Sequence, residues 1–194
     1  MKIIEVPQYG PMFRFKDYHV YWTLHLLSSG KRLGRKRLAE MVGIGEGSMR
    51  RIIDTLRDWE MVDVKQNGVK ISREGLGFLN ELPIKVLDIS IGDLVVGRYQ
   101  QAILVKGVAH KIENGMQQRD AGIRAGSEGC TTILYRDGVL MMPPDWNLDE
   151  KRPELAALIR SLDDMEEEDV IIVGGGDTPI LAAHGALAAA FELF

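Results

Sequence analysis

Arginine side chains at two neighbouring positions carry the clearest chemical signal in this sequence. Arg50 and Arg51 lie in a predicted helix over residues 46–60, whose apolar residues recur on one face. That apolar face consists of Met49, Ile52, Ile53, Leu56 and Trp59. The two guanidinium groups therefore point away from the core, and so does the hydroxyl of Ser48. Guanidinium forks match both phosphate oxygens and base edges, so this helix face is suited to duplex DNA.

Further polar and basic side chains flank this helix. A predicted helix over residues 34–42 starts with three basic residues, and Lys31 and Arg32 precede it. A predicted hairpin that follows the arginine helix carries polar and basic residues near its tip. Such side chains commonly bind phosphate oxygens. The predicted DNA-binding residues are Arg35, Lys36, Arg37, Ser48, Arg50, Arg51, Gln66, Asn67 and Lys70.

The distribution of charge agrees with this prediction. The 194 residues have a formal net charge of −4. Residues 14–73 hold 13 basic and 7 acidic residues, a net of +6, whereas residues 74–194 hold 10 basic and 20 acidic residues, a net of −10. Neutralisation of phosphates supplies most non-specific affinity for DNA. The asymmetry predicts two domains with different partners, at residues 1–82 and 83–194.

The elements that would position these side chains are helices and one hairpin. Helices are predicted over residues 17–27, 34–42, 46–60 and 73–82, with strands over 61–65 and 69–72. Gly43 ends the second helix because glycine tolerates positive φ. Asn67-Gly68 is a strong hairpin signal, since both central positions of the favoured turn need positive φ. Pro83 closes the last helix and marks the domain boundary.

The segment LAEMVGIGEGSMRRIIDTLRDWEMVDVKQNGVKISREG, residues 38–75, resembles a winged helix-turn-helix of the MarR- and GntR-like prokaryotic regulators. The resemblance covers residues 14–82. It implies that the helix from Glu46 lies in the major groove and that the hairpin is a wing reaching phosphates or the adjacent groove. Gly45 stands where the family usually has a capping serine or threonine.

The second half alternates strands with helices. Strands are predicted over residues 86–91, 94–96, 102–108, 131–135, 139–142 and 170–173, and helices over 116–126 and from Pro153 and Pro179. The helix from Pro153 has its apolar face at Leu155, Leu158, Ile159 and Leu162. The apolar run 170–173 is typical of a strand buried on both sides. The predicted class is α+β: a winged helix-turn-helix followed by a small α/β sandwich domain.

Two stretches of the second domain could bind an anion. A glycine run over residues 174–176 precedes the last helix, where backbone N–H groups attract phosphate. A helix over residues 116–126 carries two arginines. An ordinary strand-to-helix turn and an ion pair of Asp120 with Arg124 are the alternatives, and both stay open. The predicted ligand-binding residues are Arg119, Arg124, Gly174, Gly175, Gly176 and Thr178.

Other candidates for chemistry are weaker. Residues 163–169 are acidic at six of seven positions, which allows a metal site, although a solvated loop is the simpler interpretation. The four histidines lack the spacing of metal ligands, and no nucleophile motif is present. Cys130 starts an apolar strand and is expected to be buried and inert. We therefore predict no metal, no cofactor and no catalytic residue.

The sequence also bears on location and assembly. No apolar run approaches the ~20 residues that span a bilayer, and Glu5 and Pro7 interrupt any signal peptide, so we expect a cytoplasmic protein with no membrane partner. The last helix is rich in small residues, which suits either core packing or dimer packing. These residues are Ala182, Ala183, Gly185, Ala186, Ala188, Ala189 and Ala190.

The stretches QRDAGIRAGSEGCTTILYRDG and GGGDTPILAAHGALAAA resemble a group of uncharacterised archaeal proteins that join a winged helix to a C-terminal domain of unknown function. That resemblance covers nearly the whole chain and implies a regulator-like architecture. We expect a transcriptional regulator that binds double-stranded DNA as a homodimer. Its second domain would sense a small-molecule effector, for which an anion is one option, or mediate dimerisation. A nucleotide- or cofactor-related enzyme with a fused winged helix, and a protein-interaction adaptor, are the alternatives.

Overall fold

The computed structural model describes residues 2–3, 14–162 and 165–194. The described residues form two compact units that divide between Leu82 and Pro83. Within the described ranges, every helix is too short or too polar to cross a membrane.

Helices and a two-stranded antiparallel hairpin make up the first unit. The elements are α1 (Asp17–Leu27), α2 (Arg35–Val42), α3 (Glu46–Asp58), β1 (Val62–Lys65), β2 (Gly68–Ile71) and α4 (Arg73–Glu81). Leu24 of α1, Leu38 of α2 and Leu56 of α3 are fully buried. Each such side chain stabilises the fold by about 1.5–3 kcal/mol. The unit is therefore held together by the apolar faces that the spacing predicts.

The apolar face of α3 is confirmed over most of its length. Met49, Ile52, Ile53 and Leu56 are buried. Trp59 is the exception, since it follows the end of α3 and is 40% exposed. The chain leaves the helical direction just after it, where Glu60 has a φ of 58°. The predicted helix was therefore too long at its C-terminal end.

The hairpin differs from its prediction by one residue. Lys65 pairs with Gly68, so the turn residues are Gln66 and Asn67 instead of Asn67 and Gly68. Gly68 has a φ of 122°, and a Cβ there would lie 2.8 Å from the backbone oxygen of Leu33. Leu33 and Val69 exchange two backbone hydrogen bonds of 2.9 Å. Gly68 therefore allows the segment before α2 to approach β2 closely.

A six-stranded antiparallel sheet forms the centre of the second unit. Its strands are β3 (Ile84–Leu87), β4 (Tyr99–Val105), β5 (Gly129–Arg136), β6 (Val139–Met142), β7 (Trp146–Asn147) and β8 (Val170–Gly176), in the order β3-β4-β8-β5-β6-β7. Its helices are α5 (Met116–Arg124), α6 (Leu148–Lys151), α7 (Pro153–Arg160) and α8 (Pro179–Phe191). Helices α5 and α8 pack on the sheet and on each other.

Strand β8 lies between β4 and β5, and all seven of its residues are buried. This confirms the strand predicted to be buried on both sides. Helix α8 starts as predicted, with Pro179 in its first turn and the Thr178 hydroxyl accepting a 3.2 Å hydrogen bond from the Leu181 amide. Most of its small residues are buried against β8, β4 and α5 of the same chain. Core packing therefore accounts for the small residues of α8.

Several predicted elements of the second unit need correction. Residues 94–96 do not form a strand, because Gly92–Leu94 is a turn of 3-10 helix. The strand predicted at 102–108 runs from Tyr99 to Val105. Leu158 is 46% exposed, whereas Ala156 and Ile159 are buried, because the face of α7 that meets the core is rotated from the predicted one. The hairpin turn at Asp137-Gly138 is confirmed, with φ values of 53° and 75°.

Candidate nucleic-acid interface

The structure places the polar face of α3 in solvent. Arg50 and Arg51 are exposed and Ser48 is half-buried, all within the first two turns. Gly45 is the N-cap residue and has an extended backbone, and it supplies no side-chain cap. Because glycine has no side chain, the N-cap residue leaves the first-turn N–H groups of α3 without a side-chain acceptor. In the helix-turn-helix geometry, this end of the helix meets base edges and phosphates.

The basic start of α2 is exposed as well. Arg35, Lys36 and Arg37 all lie on the solvent side of the helix, whereas the following Leu38 is fully buried. Arg35 Nη2 lies 4.0 Å from Glu46 Oε2, the acidic residue that begins α3. Exposed pairs of this kind contribute about 0–1 kcal/mol, so a phosphate could replace the carboxylate at little cost. The negative charge of Glu46 is thus balanced by a neighbouring arginine.

A cleft of about 490 Å³ brings several of the predicted residues together. It lies between α3 and the β1–β2 hairpin. Four predicted DNA-binding residues line it, namely Arg35, Arg50, Gln66 and Asn67. Lys65 also lines it, although the sequence analysis missed this residue. Alternation along β1 does not single it out, because Val62 is buried while Val64 and Lys65 are both exposed. The signal in the sequence was a basic side chain directly before the hairpin turn.

Lys36, Arg37, Ser48, Arg51 and Lys70 do not line this cleft. Lys70 is exposed on β2, and its Cε would be 3.9 Å from a Cβ at Gly30. All nine predicted DNA-binding residues therefore lie in the first unit, but only four of them line the cleft.

Arg32 holds the hairpin in place, although its position among basic residues in the sequence suggested a contact with phosphate. Its guanidinium donates to the backbone oxygens of Asp63 and Gly68, at 3.2 and 3.0 Å, and to the Asp63 carboxylate. These acceptors lie on the two opposite strands of the hairpin. Arg32 thus ties β1 and β2 to the segment before α2. The hydrogen bond from Arg32 also lowers the pKa of Asp63.

We expect Arg32→Met to loosen the hairpin and to lower the Tm by roughly 2–6 °C, because two backbone acceptors and a carboxylate lose a charged donor. Since the folded pKa of Asp63 is below its unfolded value, the ion-pair contribution is present above about pH 4 and is lost as the pH falls through the lowered pKa. Thermal unfolding of both proteins between pH 2 and 7 measures this. A Tm difference that does not shrink at the acidic end would contradict the role of the ion pair.

The glycine run of the second unit lies in a strand and not in a loop. Gly174, Gly175 and Gly176 are the last residues of β8 and are buried. A Cβ on Gly174 would lie 2.3 Å from the backbone oxygen of Ala182, and one on Gly175 would lie 2.1 Å from that of Val96. The prediction of a strand-to-helix turn at these residues is therefore wrong. Their lack of side chains allows close packing of backbone on both sides of the sheet.

The other predicted ligand-binding residues lie in different surroundings. Thr178 caps α8, as described above. Arg124 Nη2 lies 3.8 Å from Glu192 Oε1, which is a different partner from the Asp120 that the spacing suggested. Arg119 lines a cavity of about 260 Å³ at the start of α5. The structure therefore does not gather the predicted ligand-binding residues into one site, and Arg119 is the member that faces a cavity.

The acidic stretch that ends at Asp169 is tied to its surroundings over the residues that the structure describes. Asp163 and Asp164 lie outside those residues. Asp169 is only 2% exposed, and it accepts hydrogen bonds from the Lys106 ammonium at 3.0 Å and from the amides of Gly107 and Glu166 at 2.8 Å. Within the described ranges, no group of three His, Cys, Asp or Glu side chains is placed to hold a metal ion. The interpretation as a solvated loop therefore fails for Asp169.

Cys130 is buried, as predicted, and burial raises the pKa of its thiol to about 12. At pH 8 the thiol is therefore almost entirely protonated, whereas the thiolate is the nucleophile. We expect native protein to react with a disulfide reagent such as DTNB at least ~100-fold more slowly than protein unfolded in urea. Absorbance at 412 nm follows the reaction. Equal rates in both states would show that the thiol is accessible.

The family described as "Domain of unknown function (DUF4443)" matches residues 95–193, slightly more than half of the chain. The chain belongs to the DUF4443 family. The DUF4443 match covers most of the six-stranded sheet and helices α5 to α8, and it excludes the cleft between α3 and the hairpin.

A second family, described as "CggR N-terminal DNA binding domain", matches residues 18–85 of this DUF4443 protein. The first unit is therefore a DNA-binding domain of the winged helix-turn-helix type, which confirms the predicted resemblance. The matched family is that of CggR, whereas the sequence analysis named MarR and GntR. In this fold the β1–β2 hairpin is the wing.

One solved structure shares the fold over almost the whole length. It is a hypothetical protein from Pyrococcus horikoshii OT3, which is 24% identical and superposes with a TM-score of 0.72 over 93% of each chain. At this identity the likeness shows the fold alone. A comparison with curated proteins found no match.

Proposed function

We propose that this protein is a transcriptional regulator that inserts α3 into the major groove of duplex DNA. The observation that carries the proposal is the cleft between α3 and the wing, where Arg35, Arg50 and Lys65 converge within a DNA-binding domain. The major groove is about 12 Å wide and admits one helix. Arg50, in the second turn of α3, would then reach base edges or phosphates.

The basic residues outside the cleft extend the same surface. Arg37 lies 3.4 Å from Glu40 in an exposed pair, which is weak and easily exchanged for a phosphate contact. Lys36 and Lys70 are exposed, and the described residues offer neither of them an ion pair closer than 4 Å. Such lysines neutralise phosphates without reading sequence. We infer that α2 and the wing fix the register of the protein while α3 supplies the contacts to bases.

Arg32 makes the wing suited to this role. The wing is a two-stranded hairpin, and a hairpin by itself is only marginally stable in water. The guanidinium of Arg32 and the backbone pairing of Leu33 with Val69 join both strands to the helical part of the domain. The wing tip, with Gln66 and Asn67, is therefore held beside α3 before DNA is bound, and less ordering is needed on binding.

We further propose that two copies of the chain bind one site as a homodimer, and that the C-terminal domain either senses a small ligand or forms the dimer contact. Winged helices of regulators commonly read two half-sites related by a two-fold axis. A ligand would regulate binding only by favouring one of two states that differ in affinity for DNA. Light scattering over a range of protein concentrations measures the mass, for which we expect twice that of one chain. A single-chain mass at micromolar protein would contradict the homodimer.

The direct test of DNA binding is the fluorescence anisotropy of a labelled 30-bp duplex at 25–300 mM KCl. We expect a Kd below 10⁻⁴ M at low salt, as an order of magnitude, and a linear fall of log affinity with log salt concentration. Labelled single-stranded DNA of the same sequence is the control for bulk charge. If the duplex does not bind at 25 mM KCl, or binds no better than the single strand, the domain is a protein-interaction adaptor and the proposal fails.

A further inference from the structure

A cavity of about 260 Å³ lies at the N-terminal end of α5 in the C-terminal domain. Its walls come from α5 and the segment before it, from β5, from the end of β6 and from Leu94. Apolar and polar residues line it together, among them Leu94, Gly115, Met116, Arg119, Thr132 and Met142. Among these described lining residues, Arg119 has the only charged side chain. A cavity with one cation and mixed walls suits a small ligand that has both an acidic group and an apolar part.

The end of α5 adds a second source of positive potential. The N-cap residue Gly115 offers no side-chain cap, and the first turn of α5 contains no acidic residue. Asn114 Oδ1 accepts one first-turn amide, that of Met116, at 3.0 Å. The amides of Gln117 and Gln118 come next in the same turn, where N–H groups have no partner within the helix. Amides at this position favour an anion.

Thr132 provides the independent observation. Its side chain lies on β5 in the wall of the cavity, the residue is only 5% exposed, and its hydroxyl has no hydrogen-bond partner among the described residues. A buried hydroxyl without a partner destabilises the folded protein, because nothing replaces the hydrogen bonds that it makes to water when unfolded. A structure that keeps such a hydroxyl in a cavity wall, beside an arginine and a helix N-terminus, is suited to a ligand that would accept its hydrogen bond.

Gly115 lies beside this hydroxyl and adds no side chain to the cavity. Its φ is 73°, and a Cβ there would lie 3.7 Å from Thr132 Oγ1 and 3.7 Å from Pro143 Cγ. A side chain at this position would therefore occupy the part of the cavity that borders Thr132. The glycine leaves that space without a side chain, while the Thr132 hydroxyl itself is buried.

We propose that this cavity binds a small organic anion, whose carboxylate or phosphate group is held by Arg119, by the first-turn amides of α5 and by the Thr132 hydroxyl. The apolar part of the ligand would contact Leu94, Met116 and Met142. That the ligand is an effector of DNA binding rests on the proposed function, but the existence of the site does not. A binding experiment without DNA therefore separates the two proposals.

The test is a titration of the full-length protein, followed by ¹H–¹⁵N NMR, with sodium phosphate and with sodium hexanoate at constant ionic strength. We expect saturable shifts at the amides of Gln117, Gln118 and Thr132 with at least one probe. Saturation by phosphate alone assigns the site to phosphates, and saturation by hexanoate assigns it to carboxylates with an apolar chain. No saturable shift at these amides with either probe up to 50 mM would overturn the proposal.

Matched variants identify the residues. Arg119→Gln is expected to weaken binding at least ~10-fold, whereas Arg124→Gln, on the same helix but paired with Glu192, is expected to leave it unchanged. Equal weakening by both changes would mean an adventitious ion only, attracted by the net charge of the helix.

Thr132→Val has a signature that a structural role would not produce. We expect it to weaken binding roughly 5-fold or more and at the same time to raise the Tm of the ligand-free protein by about 2–4 °C, because a buried hydroxyl without a partner is removed. Ser127→Ala is the control, since Ser127 Oγ is also buried without a partner but lies away from this cavity, between Gly122 and Gly185. Binding that survives in Thr132→Val would contradict the role of its hydroxyl.

Discussion

Replacing Arg50 and Arg51 together with alanine is expected to weaken DNA binding roughly 30- to 1,000-fold near 100 mM salt. Each arginine that contacts a base or phosphate is worth about 1–3 kcal/mol, and the slope of log affinity against log salt should fall by about 2 if both contact phosphates. Both side chains lie on the exposed face of α3, so their removal leaves the buried face intact. Anisotropy titrations over a salt series measure affinity and slope together.

The control for this double variant is Arg57→Ala with Arg73→Ala. It removes the same charge from the same domain, but Arg57 lies near the end of α3 with Asp54 and Asp58, at 3.1 and 3.0 Å, and Arg73 begins α4. We expect less than a 5-fold loss. An equal loss in the two double variants would mean that the domain attracts DNA by bulk charge, without α3 in the groove. Unchanged circular dichroism in all proteins would exclude unfolding as the cause.

Gly174→Ala is expected to destabilise the C-terminal domain by about 2–4 kcal/mol. The added Cβ would lie 2.3 Å from the Ala182 oxygen and 2.5 Å from the Ala186 nitrogen, both in the backbone of α8. The helix would have to move away from β8 over its whole contact, and such overpacking of a dense core is costly. Urea unfolding followed by circular dichroism measures the change in the free energy of unfolding.

A second glycine-to-alanine change provides the matched comparison. Gly77 lies within α4, is exposed, and a Cβ there would meet nothing within 4 Å. We expect Gly77→Ala to stabilise the N-terminal domain by about 0.5–1 kcal/mol, because alanine loses less conformational freedom in a helix than glycine does. The two changes should therefore have opposite signs, each in the transition of its own domain. A stabilising or neutral Gly174→Ala would show that α8 does not pack against β8 as closely as described.

The first unit was predictable because its patterns are local. The spacing of Met49, Ile52, Ile53 and Leu56 determines which side of α3 is buried, and therefore which side carries Arg50 and Arg51. Helix α4 ends at Glu81, one residue before its predicted end, and Pro83 follows the extended C-cap residue Leu82. The place of Arg32 was not predictable in this way. Its acceptors, Asp63 and Gly68, are more than 30 residues away, and only the folded domain brings them together.

The second unit was harder to predict for the same reason. Gly174, Gly175 and Gly176 suggest a strand-to-helix turn in the sequence, since glycine is common in turns, yet they continue a central strand. Thr132 carries no motif, and its hydroxyl becomes notable only when the fold leaves it without a partner beside Arg119. Leu158 shows the limit of periodicity, because a short helix offers two adjacent apolar stripes and packing decides which of them is buried.

By itself the sequence determined the winged helix, its basic face and the acidic strand-and-helix domain, because charge and apolar spacing act over neighbouring residues. The tertiary structure alone decided that Arg32 ties the wing down, that the glycine run packs against α8, and that Arg119, unlike Arg124, faces a cavity. These outcomes depend on contacts between residues far apart in the chain. Such contacts are selected by the packing of each whole domain, which no local pattern encodes.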